Sequence, residues 1–224
     1  MAGWDMLVMG GWVMAPLLIC SVVALTIIVE RLIALRRAIV LDSEIVGLVD
    51  AYDKGSSPDS ALRKCEKGRG PYARLIEEVL RSRHLNHAQV VEIMHVTGLA
   101  QVGRMERGLT VLEIIANVSP LIGLLGTVLG MVDVFSTISS SPEGLGNPQM
   151  LSSGIYQALI TTIAGLSVAI PALAAHSWLT RRVEYYATEM QERATGFIAK
   201  LFTQRAAAAR PPATAPSQTL GSEA

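Results

Sequence analysis

Two threonines raise the question of chemistry in this chain. Thr127 lies in the uncharged stretch 114–132, IIANVSPLIGLLGTVLGMV, and Thr162 in a second one, GIYQALITTIAGLSVAIPALAA. A hydroxyl both donates and accepts a hydrogen bond, so it can serve a carboxylate and a carboxylic acid alike. Each threonine sits on a face of small residues. Pro120, Gly123, Thr127 and Gly130 recur at steps of three and four and so share one helix face, as do Ala158, Thr162, Gly165, Ala169 and Ala172. In a membrane, such faces let backbones approach closely. A polar side chain at mid-depth must meet a partner or a water-filled path. The plainer alternative is that each hydroxyl bonds its own helix backbone, a common habit of Thr. Spacing alone leaves both readings open.

The two stretches run in opposite directions. With midpoints near Leu124 and Ala164, each threonine lies roughly 3–5 Å toward the outer side, so both sit at one depth. Gln157 places an amide one turn before Thr161. Glu113 and Asp133 lie toward opposite ends of the first stretch, Glu113 at its cytoplasmic mouth. His176, near the inner interface, is expected to be solvated. No Asp, Glu, Lys or Arg occupies the middle of any apolar stretch. A proton carrier normally shows an intramembrane carboxylate, so any relay here must borrow that group from another chain. Nucleophilic triads, phosphate loops and metal-ligand spacings are absent from the sequence. An enzyme, a cofactor, a metal and a nucleic-acid partner are therefore not expected.

The elements holding these residues are set by charge and hydropathy. Half of the 224 residues are hydrophobic and 17% are charged, below the ~25% of soluble domains. All 19 basic residues fall between Arg31 and Arg107 or from Arg181 onward. By the positive-inside rule those segments are cytoplasmic and the N-terminus is outside. The expected order is a periplasmic segment 1–11, transmembrane helices at 12–35, 111–138 and 151–179, and a cytoplasmic helical domain at 36–110. A periplasmic loop at 139–150, a cytoplasmic helix at 180–204 and a disordered Ala/Pro tail at 205–224 complete it. The fold class is thus an all-α membrane protein, three transmembrane helices with long helical cytoplasmic extensions. Trp4 and Trp12 suit the outer interface, and Glu30-Arg31 reads as a solvated or snorkelling helix end.

Within 36–110, residues 38–52 read as one amphipathic helix, with Leu41, Ile45, Leu48, Val49 and Tyr52 on one side. A loop at 55–59 precedes a short helix capped by Ser60 and reaching Lys67. Pro71 opens the next helix, which runs to about Arg83, and Asn86 starts another. No proline follows until Pro120, so 87–138 reads as one helix of roughly 75–80 Å. The small-residue faces at 123–130 and 158–172 look too wide for three helices of one protomer to bury. Cys20 and Cys65 are not expected to form a bridge.

Three blocks carry a resemblance. Glu30-Arg31-Leu32 closes the first span. Ser119-Pro120-Leu121-Ile122-Gly123-Leu124-Leu125-Gly126-Thr127-Val128 forms the second block. The third runs from Gly154 through Pro171, ending Val168-Ala169-Ile170-Pro171. Over about 6–202 the chain resembles the MotA/TolQ/ExbB proton-channel family, nearest its ExbB and TolQ branch. The resemblance implies a homopentameric ring in the inner membrane whose second and third spans line a central pore. It also implies single-span partners of the ExbD/TolR type, bearing an intramembrane Asp, and a TonB- or TolA-like transducer. By motif position Thr127 and Thr162 match the pore threonines, with Thr161 and Gln157 beside them. Pro120, Gly123, Gly126, Gly130, Ala158, Gly165 and Pro171 pack the pore, and Glu113 and Asp133 are its mouth acids. The family usually has Glu where this chain has Gln157, which bears on how cations are drawn in. Asp133 could restore negative charge there. The expected function is that of an ion-motive-force motor subunit. A gliding or flagellar stator is the rival within the family, although three spans rather than four argue against the flagellar branch. A passive scaffold is the rival outside it.

Overall fold

In an apolar medium a segment must satisfy its own backbone groups, so uncharged runs become helices. A computed structural model describes residues 11–52, 57–140 and 148–208. All the regular structure there is helical, without a strand among the described residues. After a 3-10 turn at Gly11–Val13 come α1 (Met14–Ala34), α2 (Arg37–Val40), α3 (Ser43–Asp50), α4 (Pro58–Lys67) and α5 (Pro71–Arg81). Then follow α6 (His87–Met105), α7 (Leu109–Ser140) and α8 (Pro148–Ala208). Three stretches are long and apolar enough to cross a membrane: Gly11–Ala34, Leu109–Ser139 and Leu151–Ala206. Two compact units divide the chain, one of 1–40 with 100–187, the other of 41–99 with 188–224.

Several expected boundaries move. The single helix over 87–138 is two. α6 ends at Met105 and α7 begins at Leu109, because Gly108 takes a φ of +82° that a helix cannot continue through. The single helix over 38–52 is also broken: Asp42 leaves helical geometry, and its side chain accepts from the Glu44 N–H at 3.0 Å, starting α3. Ser57, not Ser60, caps α4, accepting from the Ser60 N–H at 3.3 Å with Pro58 in the first turn. Residues 58 and 59 are therefore helix, not loop. α5 stops at Arg81, two residues early. At α6, Asn86 and Gln89 cap reciprocally: the Gln89 N–H donates to Asn86 Oδ1 (2.8 Å) and the Asn86 N–H to Gln89 Oε1 (3.3 Å). The third span and the helix after it are one element of 61 residues. Residues 139, 140 and 148–150, expected in a loop, and 205–208, expected in the tail, are helical. Segment 1–10 with Trp4, the loop interior 141–147 and the tail 209–224 lie outside the described residues.

The unit holding the spans packs α1 along α7. Met14 and Leu17 of α1 meet Ile160 of α8, with Ile122 of α7 and Ala164 of α8 against them. α7 runs through Pro120 and α8 through Pro171. Proline has no N–H, so the carbonyls of Ala116 and Ser167, four residues earlier, lose their helical donors.

In the other unit, Ile45 and Val49 of α3, Tyr72, Ile76 and Leu80 of α5, and Phe197 and Ile198 of α8 are almost wholly buried. Each such side chain contributes about 1.5–3 kcal/mol by leaving water. Tyr52 meets Phe197 edge-on, ring centres 5.0 Å apart. The Arg193 guanidinium reaches Asp50 (3.0 Å) and Glu189 (3.2 Å), and Lys200 Nζ donates to the Val49 and Asp50 carbonyls at the end of α3.

Candidate functional site

The antiparallel pair α7–α8 is built on four glycines, and at Gly123, Gly126 and Gly165 something must shift to admit even a methyl group. A Cβ on Gly123 would stand 2.8 Å from the Thr161 carbonyl oxygen, and one on Gly126 2.5 Å from Thr161 Oγ1. On Gly130 it would meet Ala158 Cβ at 3.2 Å, and on Gly165 the Ser119 carbonyl oxygen at 2.6 Å. The backbones are in near contact along this ladder. Much of each small-residue face is therefore covered inside one protomer, with Ala158, Ala169 and Ala172 buried. The expectation that the faces are too wide for one protomer is corrected: the helices come closer than side-chain contact would allow, and the stripes cover each other.

The ladder places the hydroxyls. Thr161 is 2% exposed, with Oγ1 donating to Ala158 O (2.7 Å) and approaching Gly123 O (3.2 Å). Thr162, half-buried, directs Oγ1 to the same Gly123 oxygen at 3.3 Å. Two hydroxyls thus converge on one carbonyl across the interface. Thr127, half-buried on α7 and at the same level, donates to Leu124 O of its own helix at 2.7 Å. A threonine so bonded keeps its lone pairs for another donor. Ser119 is wholly buried, and its Oγ has no hydrogen-bond partner among the described residues. Pro120 is half-buried and Pro171 exposed.

Gln157 is exposed on α8, its amide beside Gly11 at the start of the first span, where a Cβ on that glycine would stand 3.4 Å from Nε2. Asp133 is exposed near the far end of α7. At the basic end, Glu113 Oε2 lies 4.0 Å from His176 Nε2, and the His176 side chain is only 20% exposed. His176 is thus not simply solvated, because α7 runs alongside it. The described residues hold no cluster of His, Cys, Asp and Glu able to bind a metal ion.

The Glu30-Arg31 end of the first span also departs from expectation. The Arg31 side chain is 12% exposed, with Nη1 donating to the Met105 carbonyl at 3.3 Å and Nη2 holding Glu30 at 3.0 Å. It caps the last turn of α6. Sequence reasoning missed this role because donor and acceptor lie 74 residues apart; the one local signal was a charge pair closing an apolar run.

Three apolar helices, two of them joined by a glycine ladder carrying converging hydroxyls, define a multi-pass helical membrane protein with a polar seam between its spans. The family described as the MotA/TolQ/ExbB proton channel family matches residues 68–192. The chain belongs to that family. It is 34% identical over 172 residues to biopolymer transport protein ExbB-like 1 of Synechocystis, covering 75% of this chain and 67% of that one. It is 29% identical over 202 residues to biopolymer transport protein ExbB of Neisseria meningitidis, covering 84% and 90%. Against the ExbB homologue of Methanothermobacter thermautotrophicus it is 34% identical over 142 residues, spanning about half of that relative's length, 49%.

Proposed function

We propose that the chain is the ring-forming subunit of an ion-driven motor in the inner membrane, of the ExbB/TolQ kind. It acts as a channel and force-generating element rather than an enzyme. The observation that carries this reading is the level shared by Thr127, Thr161 and Thr162 on two antiparallel spans of a family chain. The proposed pathway runs along this hydroxyl seam, with Thr127 and Thr162 as its lining and Thr161 and the glycines as its support. Glu113 and Asp133 stand at its two mouths, and Gln157 replaces an acid near the outer one. Five copies surround single-span partners of the ExbD/TolR type, whose carboxyl group passes the threonines. Desolvation there favours the protonated acid, and a hydroxyl serves both forms. A proton falling through ~180 mV yields about 4 kcal/mol, enough over several steps to move the partners and a TonB- or TolA-like transducer. The basic segments face the cytoplasm and the N-terminus the periplasm.

The test is proton-dependent work by cells relying on the complex, normalised to assembled ring measured by native mass spectrometry. Thr127→Val and Thr162→Val should assemble yet lose most of that work, Thr→Ser should keep much of it, and Gln157→Glu should be tolerated. Valine variants that assemble and work like wild type would sink the reading. Impermeant labelling of Ser57→Cys and Ser141→Cys checks topology: only the second should react from the periplasm.

A further inference from the structure

Glu113 is the only ionisable side chain on the chain between Arg107 and Asp133, and His176 the only one between Tyr156 and Arg181. The fold brings these two together, Oε2 to Nε2 at 4.0 Å across the α7–α8 interface. Their placement relative to the hydroxyls is symmetric. Glu113 precedes Thr127 by 14 positions and His176 follows Thr162 by 14. On antiparallel helices that puts the pair roughly 21 Å toward the basic end from the threonine level, and within about 40° of the same two faces. They are the first ionisable groups met in that direction on either helix.

We propose that Glu113 and His176 form a proton-transfer site at the basic end of the α7–α8 seam, taking the proton that has passed the threonines and delivering it to water. This rests on the channel reading above. The neutral imidazole, carrying its hydrogen on Nδ1, accepts a proton at Nε2 and becomes imidazolium. The Glu113 carboxylate balances the new charge. The proton then leaves from Nε2 to water at the rim as hydronium, restoring the neutral ring and the unpaired carboxylate. A separation of 4.0 Å suits one bridging water or a small approach. Thr180 Oγ1, 3.5 Å from the same nitrogen, adds a second polar neighbour.

Between the threonines and this pair the seam is not uniformly apolar. The buried Ser119 hydroxyl has no partner among the described residues. On α7 the carbonyl of the buried Ala116 is freed by Pro120. These two groups on α7 are anchor points for water along the 21 Å.

The other ionisable groups near this end are otherwise engaged or remain apart from the pair. On α1, Arg31 binds Glu30 and the carbonyls of 104 and 105. Arg104 of α6 binds Gln101, and on α8 Arg182 lies over the Trp178 and Tyr186 rings. Among the described residues none of these, nor Glu106, Arg107 or Arg181, forms an ion pair with Glu113 or His176.

The experiment is proton flux through the full chain, co-purified with its native single-span partner and reconstituted in liposomes holding a trapped pH dye. His176→Arg fixes a permanent cation opposite Glu113 that cannot exchange its proton. It should assemble and melt like wild type while flux falls at least tenfold. Glu113→Gln should fall similarly, and the double variant should be no worse than the lower single one. If His176→Arg does not assemble, His176→Gln decides by the same criterion. Wild-type flux in His176→Arg, with Thr127→Val blocked, would show the pair to be a strut and overturn this inference alone. Absence of flux in wild type would overturn the channel reading and this inference with it.

Discussion

A Cβ on Gly165 would stand 2.6 Å from the carbonyl oxygen of Ser119 and 3.1 Å from Gly123 Cα. No real Cβ approaches backbone so closely, so the two spans are set at a distance only glycine allows. Gly165→Ala should cost about 1–3 kcal/mol through overpacking and lower the melting temperature in detergent. Gly196, exposed on the same helix with no heavy atom within 4 Å of its built Cβ, should respond oppositely. Gly196→Ala should gain up to about 1 kcal/mol from helix propensity. Equal effects at both sites would mean the α7–α8 ladder is not close-packed.

Arg31 ties the end of the first span to the last turn of α6. Arg31→Met keeps much of the apolar stem but leaves the Met105 carbonyl without its charged donor. The expected loss is about 1–3 kcal/mol. Hydrogen exchange should speed up first around 104–109, where the break between α6 and α7 lies. Unchanged exchange there would show that Gly108 alone holds the break.

In the other unit, Arg193 joins a 60% exposed Asp50 to a 13% exposed Glu189. Removing the exposed partner is cheap, because exposed ion pairs are worth about 0–1 kcal/mol. Removing the arginine takes away the cation held against a carboxylate only 13% exposed. Arg193→Met should therefore destabilise clearly more than Asp50→Asn in thermal melts, and the reverse order would refute this account of the triad.

Cys65 is fully buried on α4, and burial, with Glu77 and Glu66 adding to it, pushes its thiol up to about 11 from 9.0. The folded state holds this proton where the unfolded chain has released it. Cys65 therefore contributes stability below pH 9 that is lost as pH rises toward 11. Cys65→Ala should flatten that alkaline decline. Folded protein should leave Cys65 unmodified by a maleimide at pH 8 under conditions that label the denatured chain.

The spans were legible because absence of charge over about 20 residues has few other outcomes. The level of Thr127 and Thr162 could be computed from two midpoints. Local caps were harder. Asp42 and Ser57 compete with plausible neighbours, and only backbone geometry chooses among them. Gly108 gave no warning of its positive φ, because a glycine flanked by helix-forming residues is common inside helices. Arg31–Met105 and Glu113–His176 depend on register across the sequence. No periodicity within one helix reveals which side of its neighbour it meets. The same is true of Thr161, which shares a stretch with Thr162 but turns to face the glycine ladder.

Pro120 and Pro171 have a consequence for light rather than for packing. Each leaves one amide carbonyl, at Ala116 and Ser167, outside the vibrational ladder of its helix. A carbon-13 label at either position would be an oscillator set apart in the infrared, reading locally whether water or hydrocarbon surrounds it. The chain thus carries two built-in probes of local hydration between the hydroxyls and the basic end, Ala116 on a buried side of α7 and Ser167 on an exposed side of α8.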